Sequence, residues 1–346
     1  VAVTNADPPR INYLLEDTTL FGGVKIPLHH ANLLRRRGYE VRVVSRGPRP
    51  DWFEVEPPFL TVPDFSAASV PEAELNVATY WTTIGPAAQL PFGQSVHYCQ
   101  GYEASYTHNR DEHPRILEAY SQPIPAFALS PHLAEIVSTR FKRPVRLVPP
   151  ALEGVWRPRP RIGPGRPPRV VVLHPFEIDW KGVETALEAV KLMRRSGMEL
   201  RVVRVSQWPL IDAERDLVEP DEFHHHLDPE GVARIMAAGD VLLAPSWEQE
   251  GFGLPVIEAM ACGLPVVASR IPAFEGSTGG AVELVPAGEP AHFAEAAHGI
   301  LSDRRTWRRR RRAGIDAAVK FAANRVMDEV ESAIRWAVHR QWEQHG

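Results

Sequence analysis

Apolar residues fall in short clusters along this chain, and the stretches between them carry helical spacing. The first complete unit covers residues 11–45: an apolar run Ile11-Asn12-Tyr13-Leu14-Leu15, a loop ending in Gly22-Gly23, a helical pattern to Arg37, then Gly38 and a second apolar run to Ser45. Val24, Leu28, Ala31 and Leu34 repeat at the helical period. Gly38 suits the left-handed position after a last turn, and Arg35, Arg36 and Arg37 stand where cations favour the helix dipole. Strand, loop, helix, strand is the expected order, a parallel crossover.

Further strands are expected at 74–80, 95–99, 126–129 and 145–148, with a helix over 131–141 that opens after Ser130. Residues 157–168 then break the rhythm, being almost entirely Pro, Gly and Arg. A second series follows: strand 169–173, helix 182–193, strand 200–205, helix 229–238, strand 241–244, a glycine loop with its helix, and strand 265–269. From 291 the pattern is helical and ends in an amphipathic run from Asp316 to about Trp342. Alternation of strands and helices predicts an α/β chain. Its expected domains are 1–150, a semi-rigid linker at 151–168, 169–315, and a helix at 316–346 that returns to the first domain.

Length agrees with that division, since 346 residues exceed what one hydrophobic core serves, and two Rossmann-like parallel-sheet domains facing a cleft are expected. No apolar run is long enough to span a bilayer and no signal-peptide pattern opens the chain, so the expected compartment is the cytoplasm. The numbering starts at Val1 rather than Met, which leaves a removed leader open. Two cysteines, Cys99 and Cys262, lie far apart in apolar surroundings and read as buried thiols. A formal net charge of -4 gives no footprint for nucleic acid. One local exception is the run Arg308 to Arg312, which reads as a solvated helix face or as a contact to anionic glycan or the inner membrane face.

The densest chemistry lies at 246–269. Glu250 precedes a loop with Gly251 and Gly253, Pro255 stands where a helix should start, Glu258 lies one turn in, and Gly263 closes the helix. Backbone N–H groups at such a helix start attract phosphate. Two flanking carboxylates accept hydrogen bonds and suit sugar hydroxyls. Taken singly, each glutamate also reads as an ordinary surface carboxylate.

The run Glu250-Gly-Phe-Gly-Leu-Pro-Val-Ile-Glu258-Ala-Met-Ala-Cys-Gly-Leu-Pro-Val-Val-Ala-Ser resembles the signature of the retaining glycosyltransferases of family 4, with their E-x7-E motif. The resemblance implies a GT-B architecture with an acceptor domain first and a donor domain second. It implies that Glu250 contacts the donor sugar, that Gly251, Phe252, Gly253 and Leu254 hold phosphate or hexose, and that Glu258 binds the ribose. Gly22-Gly23 resembles the family's N-terminal glycine loop, whose backbone approaches the diphosphate. Lys181-Gly182 resembles the Arg-x4-Lys-Gly element that neutralises the leaving group, but His174, Pro175 and Phe176 stand where its Arg is expected. Lys181 alone, a protonated His174, or a distant cation such as Arg204 then takes that charge.

On the acceptor side, the stretch 95–103 resembles that of bacterial rhamnosyltransferases acting on cell-surface glycans, with Gly101 in place of their Asp; His97, Tyr102 and Glu103 are its candidates. His224-His225-His226 lacks carboxylate or cysteine partners at ligand spacing and is read as lying near the nucleobase, not as a metal site. The implied reaction moves a sugar with retention from a nucleotide-diphosphate donor (UDP, GDP or dTDP) to a hydroxyl of a glycan, glycolipid or small molecule, with no metal or other cofactor required. A glycosyl phosphorylase, a sugar-nucleotide epimerase or a non-catalytic binding subunit would use the same scaffold.

Overall fold

A computed structural model describes residues 8–344 and divides into two units, one of residues 1–151 with 323–346 and one of 152–322. Val1, on which the open leader question falls, lies outside the described residues, as do 345 and 346.

The first unit contains β1 (Ile11–Leu15), α1 (Gly22–Arg36), β2 (Val41–Ser45), β3 (Phe59–Thr61) and β4 (Leu75–Ala78). It continues with α2 (Trp81–Ala88), β5 (Gln94–Cys99), α3 (His113–Tyr120), β6 (Ala126–Ala128), α4 (Pro131–Glu135) and β7 (Val145–Leu147). Its seven strands are all parallel, in the order β3-β2-β1-β4-β5-β6-β7. The order reverses direction between β1 and β4, leaving a crevice at their C-terminal ends.

Gly22 and Gly23 are not a loop, as expected from sequence, but the first residues of α1. Pro27 lies inside that helix and has no N–H for the carbonyl of Gly23 four residues back. The Gln100 amide fills the gap, donating to Gly23 O at 2.8 Å. The helix expected over 131–141 is α-helical only to Glu135 and turns π-helical over Ile136–Arg140. Thr139 Oγ1 and Ser138 Oγ both donate to Glu135 O, at 2.6 and 3.3 Å, and their competition with the backbone amide accounts for the wider turn.

The second unit contains β8 (Arg169–Leu173), α5 (Val183–Arg195), β9 (Arg201–Ser206), α6 (Asp212–Leu217), β10 (Glu222–His225), α7 (Pro229–Ala238) and β11 (Val241–Ala244). It continues with α8 (Leu254–Ala261), β12 (Val266–Ser269), α9 (Pro272–Thr278), β13 (Glu283–Val285), α10 (Pro290–Ser302) and α11 (Arg304–Ala318). Its six parallel strands run β10-β9-β8-β11-β12-β13, with the reversal between β8 and β11. Val170, Val172, Leu187, Val190, Val241, Val267 and Phe293 are buried between sheet and helices.

The Pro/Arg-rich segment expected as a linker belongs, from Leu152 on, to this second unit. Prolines supply no N–H, so the segment's carbonyls need donors from elsewhere. Helix α11 provides them: Arg304 and Arg308 donate to Ile162 O at 2.6 and 2.8 Å, and Arg311 donates to Arg159 O. Buried Asp240 accepts from Arg161, from Gly165 N at 2.9 Å and from Arg169 N at 2.7 Å. The arginine run, read as a solvated face or membrane contact, is therefore largely engaged within its own unit; Arg310 pairs with Glu283 and Arg312 with Asp316.

The amphipathic run expected from Asp316 is two elements. Helix α11 ends at Ala318, a 3-10 turn covers Val319–Phe321, and α12 (Ala323–Val338) belongs to the first unit. Its apolar face, including Val326, Val330, Ile334 and Trp336, is buried, and Trp336 meets Phe127 of β6. Arg37, just past α1, pairs with Asp328 and Glu331 of α12 at 2.8 and 3.0 Å.

Candidate active site

The crevice of the second unit gathers chemistry from both sides of the strand reversal. After β8 come His174 and a 3-10 turn, Asp179–Lys181, ending in Gly182. After β11 come Pro245, Ser246 and the Glu250 loop leading into α8. Lys181, Ser246, Glu250, Gly253, His174 and Phe274 line one pocket there. The Lys181 ammonium donates to Glu250 Oε2 at 2.6 Å, with both side chains mostly buried.

Two glycines make this approach possible. Gly182 has φ +62, and a Cβ on it would lie 2.2 Å from Pro245 O. Gly253 has φ +79, caps α8, and a Cβ there would meet the Phe274 ring at 2.1 Å. Both need the left-handed conformation and the missing side chain.

Burial pushes the Glu250 carboxyl up, but the Lys181 charge and hydrogen bond, the Ser246 hydroxyl and the Gly253 N–H outweigh it and hold the group below its ordinary range. Glu250 is thus an anion at neutral pH and accepts hydrogen bonds only. His174 goes the other way: desolvation first, then the charges of Lys181 and Arg204, hold its imidazole well below the ordinary value. The ring is neutral, which corrects the reading of a protonated His174.

Arg204 is not available either. It is fully buried, pairs with Glu214, and donates to Val172 O at 2.7 Å and His174 O at 2.8 Å. Its charge is spent on fixing the end of β8 and the turn beyond it. Lys181 is therefore the one cation lining this pocket among the described residues.

Phe252 is 4% exposed and packs edge-on against Phe321 at 5.5 Å, so its side chain anchors the loop. Glu258 is 6% exposed within α8, and Leu254 opens that helix with Pro255 behind it. Ser246, Pro245 and Phe274 were not singled out from sequence; a serine four residues before Glu250 was the available signal. His225 and His226 ring nitrogens lie 3.0 and 3.2 Å from Gln207 O, and His224 Nε2 lies 3.4 Å from Glu222. No trio of His, Cys, Asp or Glu suited to a metal is gathered among the described residues.

In the first unit, Gly22 and Gly23 have open space where a side chain would go, so packing does not demand glycine there. His97 is fully enclosed and stands edge-on to Tyr120 at 5.0 Å; desolvation, with a smaller effect of Arg143, holds it neutral. Tyr102 also meets Tyr120 edge-on at 5.4 Å, beneath the Arg140 guanidinium. Glu103 is 6% exposed, accepts from the Tyr120 hydroxyl and the Trp81 backbone N–H, and is pushed up to about 7 by burial. These three form one packed cluster under the ends of β5 and β6; His97 and Glu103 are internal struts rather than surface contacts.

Both units are Rossmann-like, and the fold is that of GT-B glycosyltransferases. The chain superimposes on sucrose-phosphate synthase from Thermosynechococcus elongatus with a TM-score of 0.73 at 17% identity, covering 97% of this chain and 100% of that one. Against Anabaena HepE in complex with UDP-glucose the TM-score is 0.75 at 16% identity, covering 94% and 99%. Residues 167–303, which hold Lys181, Glu250 and Glu258, match the family model of glycosyl transferases group 1. The phosphatidyl-myo-inositol mannosyltransferase of Mycobacterium leprae is 34% identical over 150 residues, 41% of this chain and 38% of that protein. The chain thus spans well under half the length of such curated relatives. No described helix is long and apolar enough to cross a membrane.

Proposed function

We propose that the chain is a retaining glycosyltransferase that moves a sugar from a nucleotide-diphosphate donor to a hydroxyl acceptor. The observation that carries this reading is the Lys181–Glu250 pair at 2.6 Å, set at the strand reversal beside the N-terminus of α8. Departure of a diphosphate from the anomeric carbon builds negative charge on phosphate, and a transferase lowers that barrier with donors already in place. Lys181 and the backbone N–H groups of the Gly251–Leu254 loop serve that role. Glu250 orients the ammonium and accepts a sugar hydroxyl, while Glu258 takes the ribose.

In this reading the departing phosphate oxygen takes the acceptor proton on the same face, so the anomeric configuration is kept and no side-chain base is needed. Lys181 and the loop amides neutralise the leaving group without a metal. The structural neighbour holding UDP-glucose makes UDP-sugars the first donors to try, ahead of GDP- and dTDP-sugars. The acceptor is a glycan, glycolipid or small polyol, and the protein works in the cytoplasm, at the inner membrane face when the acceptor is lipid-linked.

The test is donor turnover, read as nucleotide diphosphate release over that panel. Lys181→Ala and Glu250→Ala should each lower it by about 100-fold or more with the fold retained, the scale of removing one donor to a developing anion. Turnover near wild type in both variants would defeat the assignment.

A further inference from the structure

The turn that carries Lys181 hangs from a strained residue. His174, the first residue after β8, has φ +79, and among the described residues it is the one non-glycine residue of positive φ that lines the Lys181–Glu250 pocket. Left-handed backbone crowds a Cβ against the following carbonyl, and Pro175 favours an extended residue of negative φ before it. The peptide at 174 therefore tends to relax, and the turn beyond it swings when it does. From Pro175 to Gly182 the turn is braced internally: Ile178 N donates to Pro175 O at 3.4 Å, Lys181 N to Ile178 O at 2.9 Å and Gly182 N to Asp179 O at 3.0 Å. Its aim is set at its root.

What opposes that relaxation comes from the neighbouring strand. Arg204 of β9 is fully buried and stands opposite Val172 in the strand register. Its Nη2 donates to His174 O at 2.8 Å, its Nη1 to Val172 O at 2.7 Å, and its Nε to Glu214 of α6, itself 2% exposed. One planar fork thus grips the carbonyls on either side of Leu173. An ammonium, whose donors all leave one atom, does not span the three acceptors. Glu214 neutralises the guanidinium through Nε and leaves both Nη groups to the carbonyls. The sheet itself has other support, since β8 and β9 pair over five positions from Arg169–Arg201 to Leu173–Val205.

We propose that Arg204 is a positioning residue: through the carbonyl of His174 it holds the turn that presents the Lys181 ammonium to Glu250. Its effect on transfer rests on the glycosyl-transfer reading; its hold on Lys181 does not. The far end of the turn has a second tie, Trp247 N to Trp180 O at 2.8 Å. With the root released the turn pivots about that tie, and an ammonium at the end of a long side chain sweeps farther than the backbone does.

The test uses the full chain and the double variant Arg204→Met, Glu214→Leu, which replaces both buried charges by apolar groups of similar size and strands neither. The first readout is trace acetylation by acetic anhydride followed by mass spectrometry, with Lys181 scored against Lys191 of α5 in the same sample. The second is kcat and KM for whichever nucleotide-sugar the wild type turns over. In the folded double variant Lys181 should label several-fold faster, and kcat should fall by about tenfold or more with KM little changed, as a misplaced group in the transition state produces. Adding His174→Gly should bring both readouts back toward wild type, because glycine holds φ +79 without a grip on its carbonyl. A merely structural Arg204 gives no such rescue. Arg204→Lys, which keeps a cation beside Glu214 but lacks the fork, carries the same readouts and the same rescue if the double variant fails to melt cooperatively. Unchanged Lys181 labelling in a folded variant overturns the proposal and leaves the Trp247 tie sufficient; a loss that His174→Gly does not repair overturns it as well. A wild type that turns over no donor defeats the transferase reading, and labelling with its rescue then decides the positioning role alone.

Discussion

Glu103 and His30 titrate in opposite senses, and between them they shape how stability depends on pH. Burial lifts Glu103 to about 7 against the opposing hydrogen bond from Tyr120. The folded state therefore keeps a proton that the unfolded chain releases near its ordinary value of 4.5. This contribution is complete below that value and is lost as pH rises through about 7. Glu103→Gln removes the titration: denaturant curves should differ little from wild type at pH 4.5 and favour the variant at pH 8, by roughly 3 kcal/mol. A difference that does not change with pH would mean the carboxyl is ionised in the fold. His30, stacked on Tyr98, is pushed down to about 3 by desolvation, with His29 adding to the effect. Its contribution is present above the ordinary 6.5 and is lost as pH falls toward 3. Arg204 needs no pH change to show its weight. Arg204→Ala strands Glu214 of α6, 2% exposed, without its counter-charge and should cost roughly 3–5 kcal/mol in the denaturant midpoint analysis. A loss under 1 kcal/mol would show the pair to be dispensable (roughly the scale of an exposed pair).

Helix α11 shows how an element can be misjudged from its own sequence. Five consecutive arginines look like a surface device, yet two of them, Arg308 and Arg311, together with Arg304 just before the run, donate to carbonyls of a proline-rich stretch more than a hundred residues earlier. Neither segment contains the reason for the other. Within that stretch Arg157, Arg159 and Arg166 precede proline, so Arg161–Ile162 is the bond open to trypsin. The double variant Arg304→Ala, Arg308→Ala should be cut there several-fold faster than wild type, followed by mass spectrometry; unchanged cleavage would show that Asp240 and Arg311 suffice to hold the segment. The strands at 169–173 and 241–244 were legible because parallel strands covered on both faces are continuous apolar runs. Helix α2 was not, because Gly85-Pro86 interrupts it with a breaker signal, and β3 was not, because it is three residues long between prolines. At the candidate site, the Glu250 loop was legible as a local motif, and Lys181 through its likeness to a family element. Their contact, across 69 residues of sequence, follows from strand order. Arg204 stands between valines in β9 as an outward residue would, and its burial follows from partners the strand's own sequence does not contain, Glu214 of α6 and the carbonyls of Val172 and His174.

At the scale of the molecule the chain passes between the units twice, at 151/152 and at 322/323. The two passages are tied together where Leu152 N donates to Phe321 O at 2.8 Å and pairs with Ala322 in a parallel bridge. The second unit is one continuous stretch; the first is not. A fragment of residues 152–322 should therefore melt cooperatively by itself, whereas residues 1–151 alone should bind a hydrophobic dye through the surface that Val326, Ile334 and Trp336 normally cover. Adding a peptide of residues 323–344 should quench that dye signal; a dye-silent fragment 1–151 would show α12 to be an accessory.

That double passage also reverses the order in which the protein is finished during synthesis. Translation delivers the first sheet early and its last helix only after the whole second unit has emerged. At ordinary elongation rates the wait is about 10–30 s, during which the part of the first sheet that α12 packs against, over β4, β5 and β7, lacks that helix. The second unit, made later, is complete first. Chaperone dependence in expression is accordingly predicted to centre on the N-terminal sheet, and substitutions that make α12 more polar should lower yield through that waiting period as well as through the final stability.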